Sequence, residues 1–187
     1  MIQYKTLIAQ KASDLLYRRG ISDVSVGDIL KCSGASRGTF YKYFSDKEDV
    51  VCAALEYRDQ EFRDFIARVT AGQNSVEGYI HALFRALLSW QHTNGFHGCL
   101  FQSALTEYQH LSERITAITR AHKQAFIQQL TDTLTVFGVH RPDHAALTAT
   151  LLIEGAVALG NFFDPEANIQ HARDAAIELL VNNKAER

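Results

Sequence analysis

The sequence predicts an all-α fold of about nine helices, with a three-helix head over residues 1–47 and a larger helical body over 48–187. Three observations predict it. Glycine and proline are scarce, 11 and 2 in 187 residues, so little interrupts a helix. Apolar residues recur at spacings of three and four through nearly the whole chain. Ser, Thr or Asp stands where those stripes begin, and Gly where several of them end.

The elements follow in order. Segment 2–19 sets Tyr4, Ile8, Ala12, Leu15 and Leu16 on one stripe and stops at Gly20, a good C-terminal residue. Ser25-Val-Gly-Asp28 opens a short helix over 26–33: Ser25 caps it, and Asp28 reaches back while favouring the positive helix end. After Ser33-Gly34, Ser36 caps a second short helix over 36–44, whose Phe40 and Phe44 share a face. Ser45-Asp-Lys-Glu48 reads as a capping box for a long helix over 46–71, with Val51, Ala54, Leu55, Arg58, Phe62, Phe65, Ile66 and Val69 along it. Ser75 starts a helix carrying Val76, Tyr79, Ile80, Leu83, Phe84, Leu87 and Leu88. A loop over 94–98 precedes a helix with Leu100, Phe101, Ala104, Leu105 and Tyr108. Ser112 begins another, which ends at Gly138. Pro142, tolerated in a first turn, starts a helix running to Phe163; Asp164-Pro165 breaks it, and the last helix ends near Asn182.

Composition narrows the function classes. The chain is 47% hydrophobic and 21% charged, ordinary for a globular protein. No apolar stretch approaches the roughly 18 residues that span a bilayer, and the first ten residues lack a signal-peptide layout. Cys32, Cys52 and Cys99 are odd in number and far apart, which points to a reducing cytoplasm rather than a disulfide framework. The net charge of -2 hides an asymmetry: residues 1–45 hold seven Lys and Arg against three Asp. A basic head on an acidic body can hold a polyanion at one end only. No metal-ligand spacing and no P-loop, GxSxG or paired-acid constellation stands out, so no metal, cofactor or catalytic residue is expected.

Two short helices joined by a Gly-containing turn and braced by a preceding helix describe a helix-turn-helix, a double-stranded DNA reader. With its apolar face removed, the second helix leaves Arg37, Gly38, Thr39, Tyr41, Lys42 and Tyr43, with no acid among them. Arg37 can fork onto guanine O6 and N7. Gly38 lets backbone approach the duplex, while Thr39, Lys42 and Tyr43 suit phosphates. Lys47 adds a further phosphate cation, and Ser25 and Ser36 stand at the two helix N-termini facing the backbone.

The stretch from Ser25 to Val50 resembles the DNA-binding signature of TetR-family regulators, through Ile29, Gly34, Ser36, Gly38, Thr39, Tyr41, Phe44, Lys47 and Glu48. Leu30, Ser33 and Tyr43 depart from it, and no basic arm precedes the first helix, so less minor-groove contact is expected. The resemblance implies a repressor that binds a palindromic operator as a homodimer through its last two helices, with an effector pocket in each body. Helix 143–163, with Leu151, Leu152, Ile153, Ala156, Val157 and Leu159, is apolar nearly all round, which fits a dimer helix or the buried centre of a monomer. Effector candidates are Phe84, Leu87, Trp90, Phe96, Phe101, Tyr108, His122 and Phe126, each of which could equally be plain core. Glu154, within an apolar helix, could recognise a cationic ligand or pair with an Arg or His. His97-Gly-Cys99-Leu-Phe resembles a segment of electrophile- and oxidant-responsive members, which makes Cys99 a candidate redox sensor against its reading as a small packed residue. An all-α enzyme or scaffold with an incidental helix-turn-helix is the remaining alternative.

Overall fold

The computed structural model describes residues 4–94 and 97–181, with side chains at all of these except 91–94 and 181. Over the described residues the chain is all-α and forms nine helices, in agreement with the sequence: α1 Tyr4–Arg19, α2 Val26–Ser33, α3 Arg37–Tyr43, α4 Lys47–Thr70, α5 Val76–Asn94, α6 Leu100–Tyr108, α7 Glu113–Val136, α8 Pro142–Leu159 and α9 Pro165–Val181. They divide into two compact units, neither continuous in the chain. One runs up to Phe62 and takes in Cys99–His122; the other holds Arg63–Gly98 and the residues from Lys123 onward.

The first unit is built on a single apolar cluster. α1 contributes Ile8, Ala12 and Leu16, α2 Ile29, α3 and its C-cap Phe40 and Phe44, and α4 Val50, Val51, Ala54 and Leu55. Leu100, Phe101, Ala104 and Ile115 join it from α6 and α7, residues far away in sequence. Phe40 and Phe44 are the anchors of the second short helix, their centroids 5.3 Å apart. Full burial of each ring is worth about 1.5–3 kcal/mol, more than seven residues can gain from helix propensity. α3 therefore exists because it is docked.

Arg58 is buried in this unit with its guanidinium 4.0 Å from the Tyr17 ring centre, joining α4 to α1. Desolvation lowers its pKa from the ordinary arginine value, and the ring face and nearby Asp14 oppose that.

In the second unit α9 packs against both α5 and α8. The buried face of α8 is Ala145, Ala146, Ala149, Ile153 and Ala156, small enough to let a neighbouring helix approach closely. α5 buries Ile80, Leu83, Phe84 and Leu87, and α7 buries Phe126, Leu130 and Leu134.

Two local expectations are corrected. The capping box of α4 slips by one residue from Ser45/Glu48: Asp46 Oδ1 accepts from the Asp49 N–H at 2.9 Å, and Asp49 Oδ2 accepts from the Ser45 N–H at 2.8 Å. Glu48 is thereby free to accept from the Ser112 hydroxyl at 2.8 Å. α8 ends at Leu159, not Phe163: beyond it the Asn161 and Phe162 N–H groups bond to the Ala158 and Leu159 carbonyls three residues back, which tightens the chain into a turn.

Candidate nucleic-acid interface

The head's second and third helices are fixed by their own caps. Ser25 Oγ accepts from the Asp28 N–H at 3.1 Å, and Asp28 Oδ2 accepts from the Ser25 N–H at 2.9 Å, closing the capping box read from the sequence. Hydrogen bonds from the Ser25 side chain and backbone, then Arg19, hold the Asp28 carboxyl down at about 2. Gly34 follows with φ 69°, a left-handed conformation that lets the chain reverse in a tight turn. Ser36 Oγ accepts from the Thr39 N–H at 3.1 Å and lies 2.9 Å from the Thr39 hydroxyl.

With Phe40 and Phe44 turned inward, the rest of α3 divides by exposure. Arg37, Gly38, Tyr41 and Lys42 are exposed, while Thr39 and Tyr43 are half-buried. The Lys42 ammonium sits 5.7 Å from the Tyr43 ring centre. The helix carries two cations and no acid, so its open face presents positive charge, a phenol and a hydroxyl on a rigid base. That combination suits a polyanion whose groove edges offer acceptors.

The structure gives Lys47 an intramolecular task that the sequence did not suggest. Its Nζ donates to the Ile21 carbonyl at 2.7 Å and to the Ser22 carbonyl at 3.4 Å. The same turn is held from the other side by Glu107 of α6, whose carboxylate accepts from the Ser22 N–H at 2.7 Å, the Ser22 hydroxyl at 2.5 Å and the Ile21 N–H at 3.4 Å. Arg114 of α7 pairs with Asp49 at 2.8 Å at the start of α4. None of these partners carries a local sequence signal, because they lie 25–86 residues from the groups they hold.

The effector candidates fall into both units. In the first, His122 is buried, its ring stacked on Phe101 at 3.6 Å and 7°, with Nδ1 2.6 Å from Asp59 Oδ1 and Phe62 at 5.8 Å. Tyr108 packs half-buried against the same core, and burial raises its phenol above the ordinary value. Cys99 takes the N-cap position of α6 with extended backbone and packs half-buried on that core. In the second unit Phe84, Leu87 and Phe126 are buried, and Trp90 lies 5.3 Å from Phe65. Glu154 is half-buried and pairs with Lys123, a lysine where the sequence suggested Arg or His. Phe96 lies outside the described residues.

α8 is apolar nearly all round, as expected, with apolar residues on both its buried and its exposed face. Opposite the buried alanines, Leu147, Leu151 and Leu159 are exposed, with Phe162 and Phe163 just beyond and Leu179 on α9. Among the described residues no three His, Cys, Asp or Glu are grouped to hold a metal ion, and no helix is long and apolar enough to cross a membrane.

A helical head of this design, with two capped short helices and one cationic face, defines a helix-turn-helix protein. A sequence model described as bacterial regulatory proteins of the tetR family matches residues 8–54. The whole fold is similar to SCO4454, a TetR-family transcriptional regulator from Streptomyces coelicolor, with TM-score 0.86 and 25% identity, covering 97% of this chain and 96% of that one. Residues 8–54 thus carry the tetR-family segment, and the chain as a whole has the fold of a TetR-family transcriptional regulator. Among curated relatives, TtgR of Pseudomonas putida is 30% identical over 70 residues, which are 37% of this chain and 33% of TtgR. The YvdT regulator of Bacillus subtilis is 39% identical over 49 residues, so the chain spans a third or less of these two relatives. An uncharacterized regulator of Mycobacterium tuberculosis, Rv0196, is 27% identical over 156 residues, 79% of each chain.

Proposed function

We propose that the chain is a ligand-responsive repressor that reads a palindromic operator as a homodimer, with residues 1–47 contacting DNA and 48–187 serving dimerisation and effector binding. The observation that carries this reading is the open face of α3: Arg37, Gly38, Tyr41 and Lys42 exposed, no acid in the helix, and Phe40 fully buried beneath. Arg37 reads a base, Lys42, Thr39, Tyr41 and Tyr43 meet phosphate or sugar, and Ser25, Ser36 and Lys47 border the backbone path. The exposed leucines of α8 with Leu179 of α9 supply an apolar face for a second copy. On the effector side, the Phe101–His122 stack with Asp59 offers an aromatic plate and a hydrogen-bonding group in one place. No catalytic residue is assigned, and the protein acts by binding.

Fluorescence anisotropy with duplexes carrying an inverted repeat, half-sites about one helical turn apart, tests the reading. Binding is expected to fall steeply with salt, losing about 10³-fold or more between 50 and 200 mM if six or more phosphates are contacted. Salt-insensitive binding, or none to any duplex, would refute it. The electrophile-responsive variant rests on the half-buried Cys99 standing at the N-cap of α6. It requires that thiol-reactive compounds release the DNA and that Cys99→Ser abolish that release. Release of DNA from Cys99→Ser by non-reactive aromatic compounds favours the pocket instead.

A further inference from the structure

Between α5 and α9, within the second unit, lies a cavity of about 310 Å³ lined by His81, Phe84, Arg85, Leu88, Ile169, Gln170 and Arg173. Positions 81, 84, 85 and 88 form one face of α5, and 169, 170 and 173 one face of α9, so the groove follows from helical spacing on both walls. Its floor is apolar: Phe84 and Ile169 are buried and Leu88 half-buried. Its rim is polar and cationic. Arg85 is exposed and pairs with no acid among the described residues. Arg173 turns Nε and Nη2 onto Asp174 at 2.8 and 2.7 Å, which leaves Nη1 for another acceptor. His81 lies 4.0 Å from Glu77, one turn back on α5. Glu77, Asp174 and Glu166, whose Oε1 accepts from Gln170 Nε2 at 3.1 Å, are acids near the rim, and none of the three lines the cavity.

We propose that this groove binds an anionic amphiphile, with a carboxylate between Arg85 and Arg173 and an apolar body over Phe84, Leu88 and Ile169. A guanidinium is the side chain best matched to a carboxylate, through paired N–H donors in one plane. The volume lies at the low end of small-molecule sites, enough for a short fatty acid or an aromatic acid. None of the lining residues belongs to α1–α3, so the site stands whether or not the proposed operator binding holds.

Calorimetry on the full chain with octanoate, 1-octanol and octylamine, three probes of one length and different charge, tests it. Octanoate is expected to saturate one site per chain, with octanol about tenfold weaker or worse. Arg85→Ala and Arg173→Ala should each weaken octanoate about tenfold. Gln170→Glu places a negative charge on the rim at an exposed position and should repel octanoate while improving octylamine. Octanol binding as tightly as octanoate would overturn the charge recognition. Full octanoate affinity in the Arg85→Ala/Arg173→Ala double variant, or no saturable octanoate binding at all, would overturn the site. Unchanged melting temperatures in the exposed variants keep these outcomes separate from unfolding.

Discussion

Gly38 has no packing reason to be glycine, because a Cβ there would meet only Ser36 Oγ, at 3.9 Å. Glycine within a helix costs roughly 0.5–1 kcal/mol relative to alanine, so Gly38→Ala should stabilise the isolated protein by about that amount. If the bare backbone is there for close approach to a duplex, the same change should weaken operator binding. Paired melting curves and anisotropy titrations check for the two opposite signs, and a variant that gains both stability and affinity would contradict the proposed α3 contact. Arg37→Ala should cost roughly 1–3 kcal/mol on the cognate site and little on a scrambled one, as for a base-reading arginine. Asp28 gives a pH test. Its folded pKa is depressed to about 2 from the ordinary 3.8, so its contribution is fully present above the ordinary value and fades as pH falls toward 2. A carboxyl titration by NMR should place the Asp28 midpoint near 2, and Asp28→Asn should destabilise α2 at neutral pH.

At the scale of elements, the turn at 20–23 is where sequence reading stopped short. Most of what is set by neighbours three or four residues apart was legible: the Ser25–Asp28 box, the Ser36 cap, and the pairing of Phe40 with Phe44. The grip of Lys47 and Glu107 on Ile21 and Ser22 was not, because nothing local distinguishes Glu107 from any solvated acid on a helix. Local rules also misjudged a near-tie: Ser45/Glu48 and Asp46/Asp49 both spell a cap, and the second wins while Glu48 turns to Ser112. Glu107→Ala should loosen the turn, at about 1 kcal/mol for hydrogen bonds in reach of water, or a fall of about 2–4 °C in melting temperature. Lys47→Ala should lower stability as well as DNA affinity. A loss of affinity on every sequence with no change in melting would assign Lys47 to phosphate contact alone. Among the effector candidates, periodicity identified which residues turn inward but not which meet; it could not foresee that Phe101 stacks on His122 while Trp90 turns to Phe65.

At the scale of the whole molecule, the two-faced α8 decides which substitutions inform. Ala156 is buried within the chain, so Ala156→Arg would disturb the fold and say nothing of assembly. Leu151 is 65% exposed. Leu151→Glu should therefore leave the helical content intact and split the proposed homodimer, which sedimentation at micromolar concentration would read. A wild-type chain that sediments as a monomer would remove the dimer proposal.

The first unit also sets an order of events during synthesis. Its core is closed by Leu100, Phe101, Ala104 and Ile115, so the three head helices emerge from the ribosome long before the residues that complete their packing. At about 5–20 residues per second, the nascent head waits seconds with apolar surface uncovered, in the company of a half-made second unit. A fragment ending near residue 62 should for the same reason be poorly folded. The segment proposed to bind DNA is then no detachable module: its packing is complete only once translation has passed α6 and the first half of α7.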